Sequence, residues 1–339
     1  MLNYIIWDVS PAIIDGFHVR WYGLFFGIGF FLSYIFAKKI FKRDGLSSSE
    51  VDDFAFGLFL FLLVGLRLGH CLLYEPAEYL ANPIKILFVW EGGLASHGGA
   101  VGLLCGFLWF SKRLGKKFLW LMARVAIVVP ITAFFVRMGN LMNSEIYGVA
   151  TNLPWGFVFV RDALIQTNAH ELSGIMAQAG LVTADTVPSL EAFLSNCLPH
   201  TAVTFESLRN ILLEHGFLDV SQKKAFVDAC VQSGLLTTNH PTQIYEALTY
   251  LTTGIILIAY YQLRTKHNKP ISEYVIMAII LLMCFATRFC IEFIKNNQVD
   301  FEKNMTFDMG QWLSVPFILA GIVFIVLAIR ESKQQETTE

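Results

Sequence analysis

The residues whose chemistry stands out first are Arg137, Asn140, Asn143 and Glu145, spaced along Arg137-Met138-Gly139-Asn140-Leu141-Met142-Asn143-Ser144-Glu145. An apolar run from Phe118 leads straight into them. A guanidinium, two carboxamides and a carboxylate at the end of such a run make a polar platform where lipid meets water. Ionisable groups inside apolar spans are costly and by default mark function. A second pair, Arg288 and Glu292, stands four residues apart on one helical face; the two either neutralise each other or leave the arginine for another anion. Arg67 and His70 form a third cluster, and Ser96-His97-Gly98-Gly99 a fourth. Arg67 either snorkels to the surface or joins the other cations. Ser96 can cap a helix, while the glycines either permit close helix packing or expose backbone N–H groups to an anion. Guanidinium binds phosphate in bidentate fashion. These types therefore suit the holding of a phosphate, and its bearer should be amphiphilic because the walls are apolar. No Ser-His-Asp order, Gly-x-Ser-x-Gly elbow, His-Glu-x-x-His or phosphate-binding glycine loop occurs. A nucleophile would come from a substrate.

Such residues need membrane helices to carry them. Of 339 residues, 55% are hydrophobic and only 15% charged, with a mean hydropathy of +0.54. Soluble domains carry roughly 25% charged residues, so a soluble enzyme is excluded and an all-α polytopic membrane protein is expected. Seven apolar segments approach the roughly 20 residues that cross a bilayer: 21–37, 54–74, 94–110, 118–142, 244–263, 274–294 and 309–329. Lysine and arginine gather in 38–53, 111–117, 264–273 and 330–339 and thin out in the alternate segments. The positive-inside rule then places the N-terminus outside and the C-terminus in the cytoplasm. No cleavable signal peptide is expected, because Met1 to Phe17 lacks a basic start followed by an apolar core. The implied organisation is four spans with part of the site over 1–142, an extracytoplasmic head over 143–243, three spans over 244–329 and a cytoplasmic tail at 330–339. The head reads as small and mostly helical, with amphipathic patterns at 208–213 and 223–231. Its two cysteines, Cys197 and Cys230, either form a disulfide or pack in the core. No metal-ligand spacing appears.

In that orientation polar residues collect in the outer third of the spans. These are Arg67 with His70, Arg137 with Asn140, and Arg288 with Glu292, joined by Tyr22, His97, Gln243, Tyr245 and Glu246. The inner halves are nearly bare apart from Arg124, which is placed to snorkel. The three outer arginines outnumber the carboxylates at their depth; Glu292 answers one, and Glu145 or Glu246 another. An excess of positive charge in apolar surroundings invites an anionic lipid headgroup. A transporter reading would need a midplane site between repeated halves, and a scaffold reading leaves the cations unexplained.

These residues belong to a longer series. It runs Trp21-Tyr22-Gly23-Leu24, Gly65-Leu66-Arg67-Leu68-Gly69, Trp90-Glu91-Gly92-Gly93 with Ser96-His97-Gly98-Gly99, and Arg137 through Asn140, Asn143 and Glu145 to Gly148. It continues with His240-Pro241-Thr242-Gln243-Ile244-Tyr245-Glu246, Arg288 with Glu292-Phe293, and Met309-Gly310-Gln311. In this order the sequence resembles the prolipoprotein diacylglyceryl transferases, bacterial membrane enzymes. The resemblance implies transfer of the diacylglyceryl group of phosphatidylglycerol to the lipobox cysteine thiol of a prolipoprotein signal peptide. A thioether forms and glycerol phosphate leaves, as the first step of lipoprotein maturation. It also implies a multi-pass place in the bacterial cytoplasmic (inner) membrane, among membrane lipid, with the active site towards the outer leaflet. No metal or organic cofactor and no nucleic acid is expected.

As catalytic residues the resemblance implies His97, Arg137 and Arg288. The arginines hold a phosphate that gains charge in the transition state, and His97 positions or deprotonates the thiol. For substrate binding it implies Tyr22, Arg67, Gly98, Gly99, Asn140, Asn143, Glu145, Gly148, Tyr245, Glu246 and Glu292. Three positions depart from the family pattern: Ser144 replaces a common glycine, Cys284 replaces a frequent tyrosine, and no aspartate stands near Ala123.

Overall fold

The computed structural model describes residues 4–14, 19–88, 93, 95–198, 202–296 and 305–338. Trp90-Glu91-Gly92 and the start of the expected span at 94 lie outside the described residues. Long apolar runs form helices because a helix satisfies its own backbone where water is absent. In chain order the elements are β1 (Ile5–Trp7), α1 (Trp21–Arg43), α2 (Ser48–Leu73), α3 (Pro76–Ala81), α4 (Ser96–Leu114) and α5 (Phe118–Met142). Then come β2 (Phe157–Phe159), β3 (Leu164–Ile165), α6 (Ala169–Gln178), α7 (Val187–Cys197), β4 (Val203–Thr204), α8 (Phe205–Glu214) and α9 (Lys223–Gln232). The last are α10 (Thr242–Lys266), α11 (Glu273–Leu281), a π-helical turn at Leu282–Ala286, α12 (Thr287–Glu292) and α13 (Met309–Thr338).

Six helical stretches among the described residues are long and apolar enough to cross a membrane: α1, α2, α5, α10, the run from α11 through α12, and α13. The chain is thus a mostly helical, multi-pass membrane protein. The seventh expected segment, 94–110, is helical as α4, but its glycines, His97, Lys112 and Arg113 dilute its apolar content and it is not one of the six. By contacts the chain divides into two compact units, one of Met1–Gly27, Phe134–Thr249 and Ala286–Val315, the other of Ile28–Ala133, Tyr250–Phe285 and Pro316–Glu339.

The first unit holds the stretch read as a head. Its patterns at 208–213 and 223–231 fall in α8 and α9, which bury Leu208, Leu212, Phe226 and Cys230 around Leu172, Met176, Leu190 and Leu194. Side-chain caps start two of its helices: Asn168 accepts from Glu171 N at 2.9 Å, and Thr204 accepts from Ser207 N at 3.3 Å. The unit is less purely helical than expected. β1 pairs in parallel with β2, Ile5 opposite Phe157 and Trp7 opposite Phe159, and β3 pairs antiparallel with β4. Arg209 donates to Asp8 at 2.6 Å and fastens the N-terminal segment. Cys197 is exposed, Cys230 is buried, and both thiols are free.

The second unit packs Phe41, Phe54, Phe107 and Phe110 into one apolar cluster and Ile127, Leu257 and Ile276 into another. Its α2 starts on a capping box in which Ser47 and Glu50 bond reciprocally. Glycine lets α2 and α4 meet backbone to backbone: a Cβ on Gly102 would lie 2.2 Å from the Phe61 carbonyl oxygen, and one on Gly98 would lie 2.2 Å from that of Gly65. Arg124 does not snorkel. Its side chain is 5% exposed, with Nε 2.8 Å from Asp44 Oδ2 and Nη1 bonded to Glu273. Tyr261 donates to the other Asp44 oxygen at 2.6 Å.

Candidate functional site

Within the first unit, α5 ends in a turn that turns its polar residues towards one another. Asn143 N donates to Gly139 O and Glu145 N to Asn140 O, both at 3.1 Å, and Ser144 N donates to Leu141 O at 3.0 Å. The turn requires left-handed backbone at Ser144 (φ 55°) and Ile146 (φ 63°). A β-branched residue at positive φ is an outlier that surrounding structure must enforce. The enforcement comes from Gly148, where three segments cross. Gly148 N donates to His240 O at 2.8 Å, and Gly148 O accepts from Asn239 Nδ2 at 2.9 Å and Asn296 Nδ2 at 3.0 Å. A Cβ there would lie 2.2 Å from Ile294 O, so only glycine fits. Thr242 Oγ1 fixes Ile146 O at 2.7 Å and Gln243 Nε2 fixes Glu145 O at 2.6 Å. Tyr147 stacks on Phe159 at 4.6 Å; burial, helped by Asp162, pushes its phenol up to about 12, which keeps it protonated.

The side chains on this turn form one network. Arg137 pairs through Nε with Glu246 and donates from Nη1 to Asn140 Oδ1 at 3.1 Å. Asn140 Nδ2 in turn donates to Glu145 Oε1 at 2.8 Å, and Asn143 Nδ2 to the same oxygen at 3.3 Å. Tyr22 lies against the helix one step away, since a Cβ on Gly139 would meet its ring at 2.9 Å. Glu246 is 2% exposed and also faces Lys295, whose Nζ is 3.7 Å from Glu246 Oε1 and 3.3 Å from Glu292 Oε2. Neither Glu246 oxygen makes a well-aligned hydrogen bond among the described residues, so charge contact with the two cations is what offsets its burial. Tyr245 accepts from Trp155 Nε1 at 3.0 Å and lies 3.2 Å from His240 Nδ1.

Arg288 and Glu292 make no direct ion pair, although Arg288 stays within coulombic reach of the carboxylate. Glu292 turns to Lys295, and half-buried Arg288 has no ion-pair partner among the described residues. Nor are the outer cations in simple excess, because in this unit Arg137, Arg288 and Lys295 stand against Glu145, Glu246 and Glu292, and Glu246 is shared by Arg137 and Lys295. The π-helical turn at Leu282–Ala286 contains Cys284 and stands just before α12, which carries Arg288. Such turns often occur beside functional residues.

Arg67, His97, Gly98 and Gly99 belong to the second unit. Arg67 is 3% exposed and clasps a loop, donating to Ile86 O at 2.8 Å, Lys85 O at 2.6 Å and Gly93 O at 3.3 Å, with Tyr79's ring 5.0 Å away. It does not snorkel. Gly98 and Gly99 are buried against α2, whereas His97 is exposed at the start of α4, where Ala95 holds the capping position.

A family model described as prolipoprotein diacylglyceryl transferase matches residues 11–327. The chain belongs to the prolipoprotein diacylglyceryl transferase family. A phosphatidylglycerol--prolipoprotein diacylglyceryl transferase of Tolumonas auensis is 33% identical over 96% of this chain and 98% of its own. One of Porphyromonas gingivalis is 33% identical over 98% of both chains, and one of Chloroherpeton thalassium 27% identical over 99% and 98%. Lys295, just past the expected span at 274–294, was not singled out in the sequence although it joins this network. The available signal was its spacing: it follows Glu292 by three residues, within reach on a helix end. Asn239 and Asn296, which hold Gly148, carried no comparable signal.

Proposed function

We propose that the chain transfers the diacylglyceryl group of phosphatidylglycerol to the lipobox cysteine thiol of prolipoproteins in the bacterial inner membrane. The sulfur forms a bond to the terminal glycerol carbon of the lipid, the bond from that carbon to the phosphate oxygen breaks, and glycerol phosphate leaves with the electron pair. The thiol proton goes to a base or to water. The chain crosses the membrane seven times, with α4 as the seventh span, its N-terminus outside and the site near the outer leaflet.

Arg288 receives the phosphate. The carrying observation is that it makes no ion pair among the described residues while Glu292, one turn on, pairs with Lys295, within a chain matched to this family over 11–327. A cation waiting in a low-dielectric site gains most when charge develops on the leaving group. Arg137, oriented by Glu246 and Asn140, holds a second phosphate oxygen, and Tyr22, Asn143, Glu145, Tyr245 and Glu292 shape the headgroup site. Gly148 supports it through the backbone crossing. His97 positions or deprotonates the thiol, a group of pKa about 8.5 that reacts as thiolate. Arg67, Gly98 and Gly99, which the resemblance assigns to substrate binding, complete the proposed set.

The test is to incubate purified protein with phosphatidylglycerol and a lipobox peptide and analyse the peptide by mass spectrometry. A diacylglyceryl adduct on cysteine that survives neutral hydroxylamine is expected, since a thioether and oxygen esters resist it under those conditions and a thioester does not. Arg288→Ala should insert normally and lose about 10²–10³-fold in turnover, the usual scale for one preorganised donor. No adduct from the wild type, or wild-type turnover by Arg288→Ala, overturns this reading.

A further inference from the structure

Lys295 is a buried cation to which the transfer chemistry gives no role. Its side chain is 3% exposed, and burying an ammonium is costly unless it is paired. It is paired twice: Nζ lies 3.3 and 3.5 Å from the two Glu292 oxygens and 3.7 Å from Glu246 Oε1. Glu246 meets Arg137 through its other oxygen. Arg137, Glu246, Lys295 and Glu292 therefore alternate in sign along one line of contacts that closes to neutrality. Arg288 stands outside it, one helical turn before Glu292 and on the same face.

We propose that Lys295 is a positioning residue of the transfer site, holding Glu292 away from Arg288 so that Arg288 stays open to an anionic lipid phosphate. This assignment rests on the proposed function of the same site. The backbone holds Lys295 in place: it bridges to Gly148, Lys295 N donates to Glu292 O at 3.2 Å, and Val149 N donates to Ile294 O at 2.9 Å. Glu292 is further confined by Gly310, where a Cβ would lie 2.4 Å from its Oε1. Without the ammonium, Glu292 is a buried carboxylate whose nearest remaining cation on its own face is Arg288. Pairing with it would occupy the group that the phosphate needs. The same loss would leave Glu246 to Arg137 alone and tighten that pair.

The experiment compares wild type, Lys295→Met, Lys295→Arg and the double variant Lys295→Met/Glu292→Gln. It measures KM for phosphatidylglycerol and for the lipobox peptide separately, and retention of phosphatidylglycerol by native mass spectrometry. Lys295→Met should raise KM for the lipid at least about tenfold and reduce lipid retention, with KM for the peptide unchanged. A purely structural defect lowers the active fraction and leaves both KM values alone. Lys295→Arg should recover most of the loss and the double variant part of it, since the latter removes the carboxylate that would quench Arg288 together with a group that shapes the headgroup site. Lipid KM and retention within twofold of wild type in Lys295→Met overturn the proposal, as does a double variant no better than the single one. Retention also separates the two readings. If wild type makes no adduct yet retains lipid in a Lys295-dependent way, the transfer reaction falls and the positioning role stands. If wild type makes the adduct and retention ignores Lys295, only the positioning role falls.

Discussion

Replacing Ser144 by glycine should stabilise the protein, although the change deletes a side chain. Ser144 sits in the turn after α5 at φ 55°, where an L side chain costs about 1–2 kcal/mol. It is 2% exposed, and its hydroxyl has no hydrogen-bond partner among the described residues, a desolvation penalty of about 1–3 kcal/mol. Glycine removes both terms and gives back about 0.4–1 kcal/mol as added freedom of the unfolded chain. The net expectation is a gain of about 2 kcal/mol. Ser144→Ala separates the causes, because it loses the hydroxyl and keeps a Cβ at positive φ; it should gain clearly less than glycine. The assay is the apparent thermal midpoint of all three proteins, purified in one detergent at one concentration. A glycine variant no more stable than wild type refutes the strain, and an alanine variant equal to it assigns the whole gain to the hydroxyl. Glycine is also what the family resemblance leads one to expect at this position, so this chain carries a cost there that its relatives' pattern avoids.

Three further outcomes follow from packing and from a buried thiol. Gly102→Val drives a branched side chain into the Phe61 carbonyl, 2.2 Å from the position of its Cβ, and should destabilise the α2–α4 pair by about 3 kcal/mol; a thermal midpoint within a degree of wild type would mean the helices can part freely. At pH 8 a membrane-impermeant maleimide should label exposed Cys197 and spare Cys230, whose thiol burial pushes up to about 12 from an ordinary 9.0. Because the fold favours the neutral thiol, Cys230 adds no pH dependence below about 9 and destabilises the head as pH climbs from there towards about 12. Cys230→Ser should flatten that alkaline arm of a pH–stability curve, and labelling of Cys230 in the folded protein would contradict its burial.

Hydropathy made most of the helices legible, since runs such as Phe118–Met142 can satisfy their backbone in no other way within lipid. The platform from Arg137 to Glu145 was legible for a related reason: polar residues at the end of an apolar run must be satisfied locally, and Asn140, Asn143 and Glu145 bond one another. Partners distant in sequence were not legible. Arg124 read as a snorkelling residue because Asp44 and Glu273 lie 80 and 149 residues away. The strand pairing of Ile5 with Phe157 has the same cause, as neither short segment alternates long enough to announce a sheet. The clasp made by Arg67 was hidden for a different reason. Its partners are backbone carbonyls of a loop, and every residue has a carbonyl, so no pattern of side chains could reveal the clasp.

Four arginines in or beside apolar helices looked alike in sequence, and their surroundings make them different. Arg67 is occupied by carbonyls and an aromatic face, Arg124 by two carboxylates, and Arg137 by one carboxylate and an amide. Each such partner supplies negative potential that a phosphate would otherwise provide, so an already paired guanidinium gains less from a ligand than an unpaired one. By that measure counting arginines overstates the proposed phosphate site. Of these four, Arg288 makes no side-chain hydrogen bond or ion pair among the described residues, and on the proposed reading Arg137 contributes mainly geometry, its Nε held by Glu246 while Asn140 sets the plane of the fork. Arginine-to-lysine exchange should therefore be harsher at Arg137, which uses the fork to bridge two neighbours, than at Arg288, where a point charge still meets a phosphate. Equal losses in lipid KM for Arg137→Lys and Arg288→Lys would show that both guanidiniums grip the headgroup in the same way.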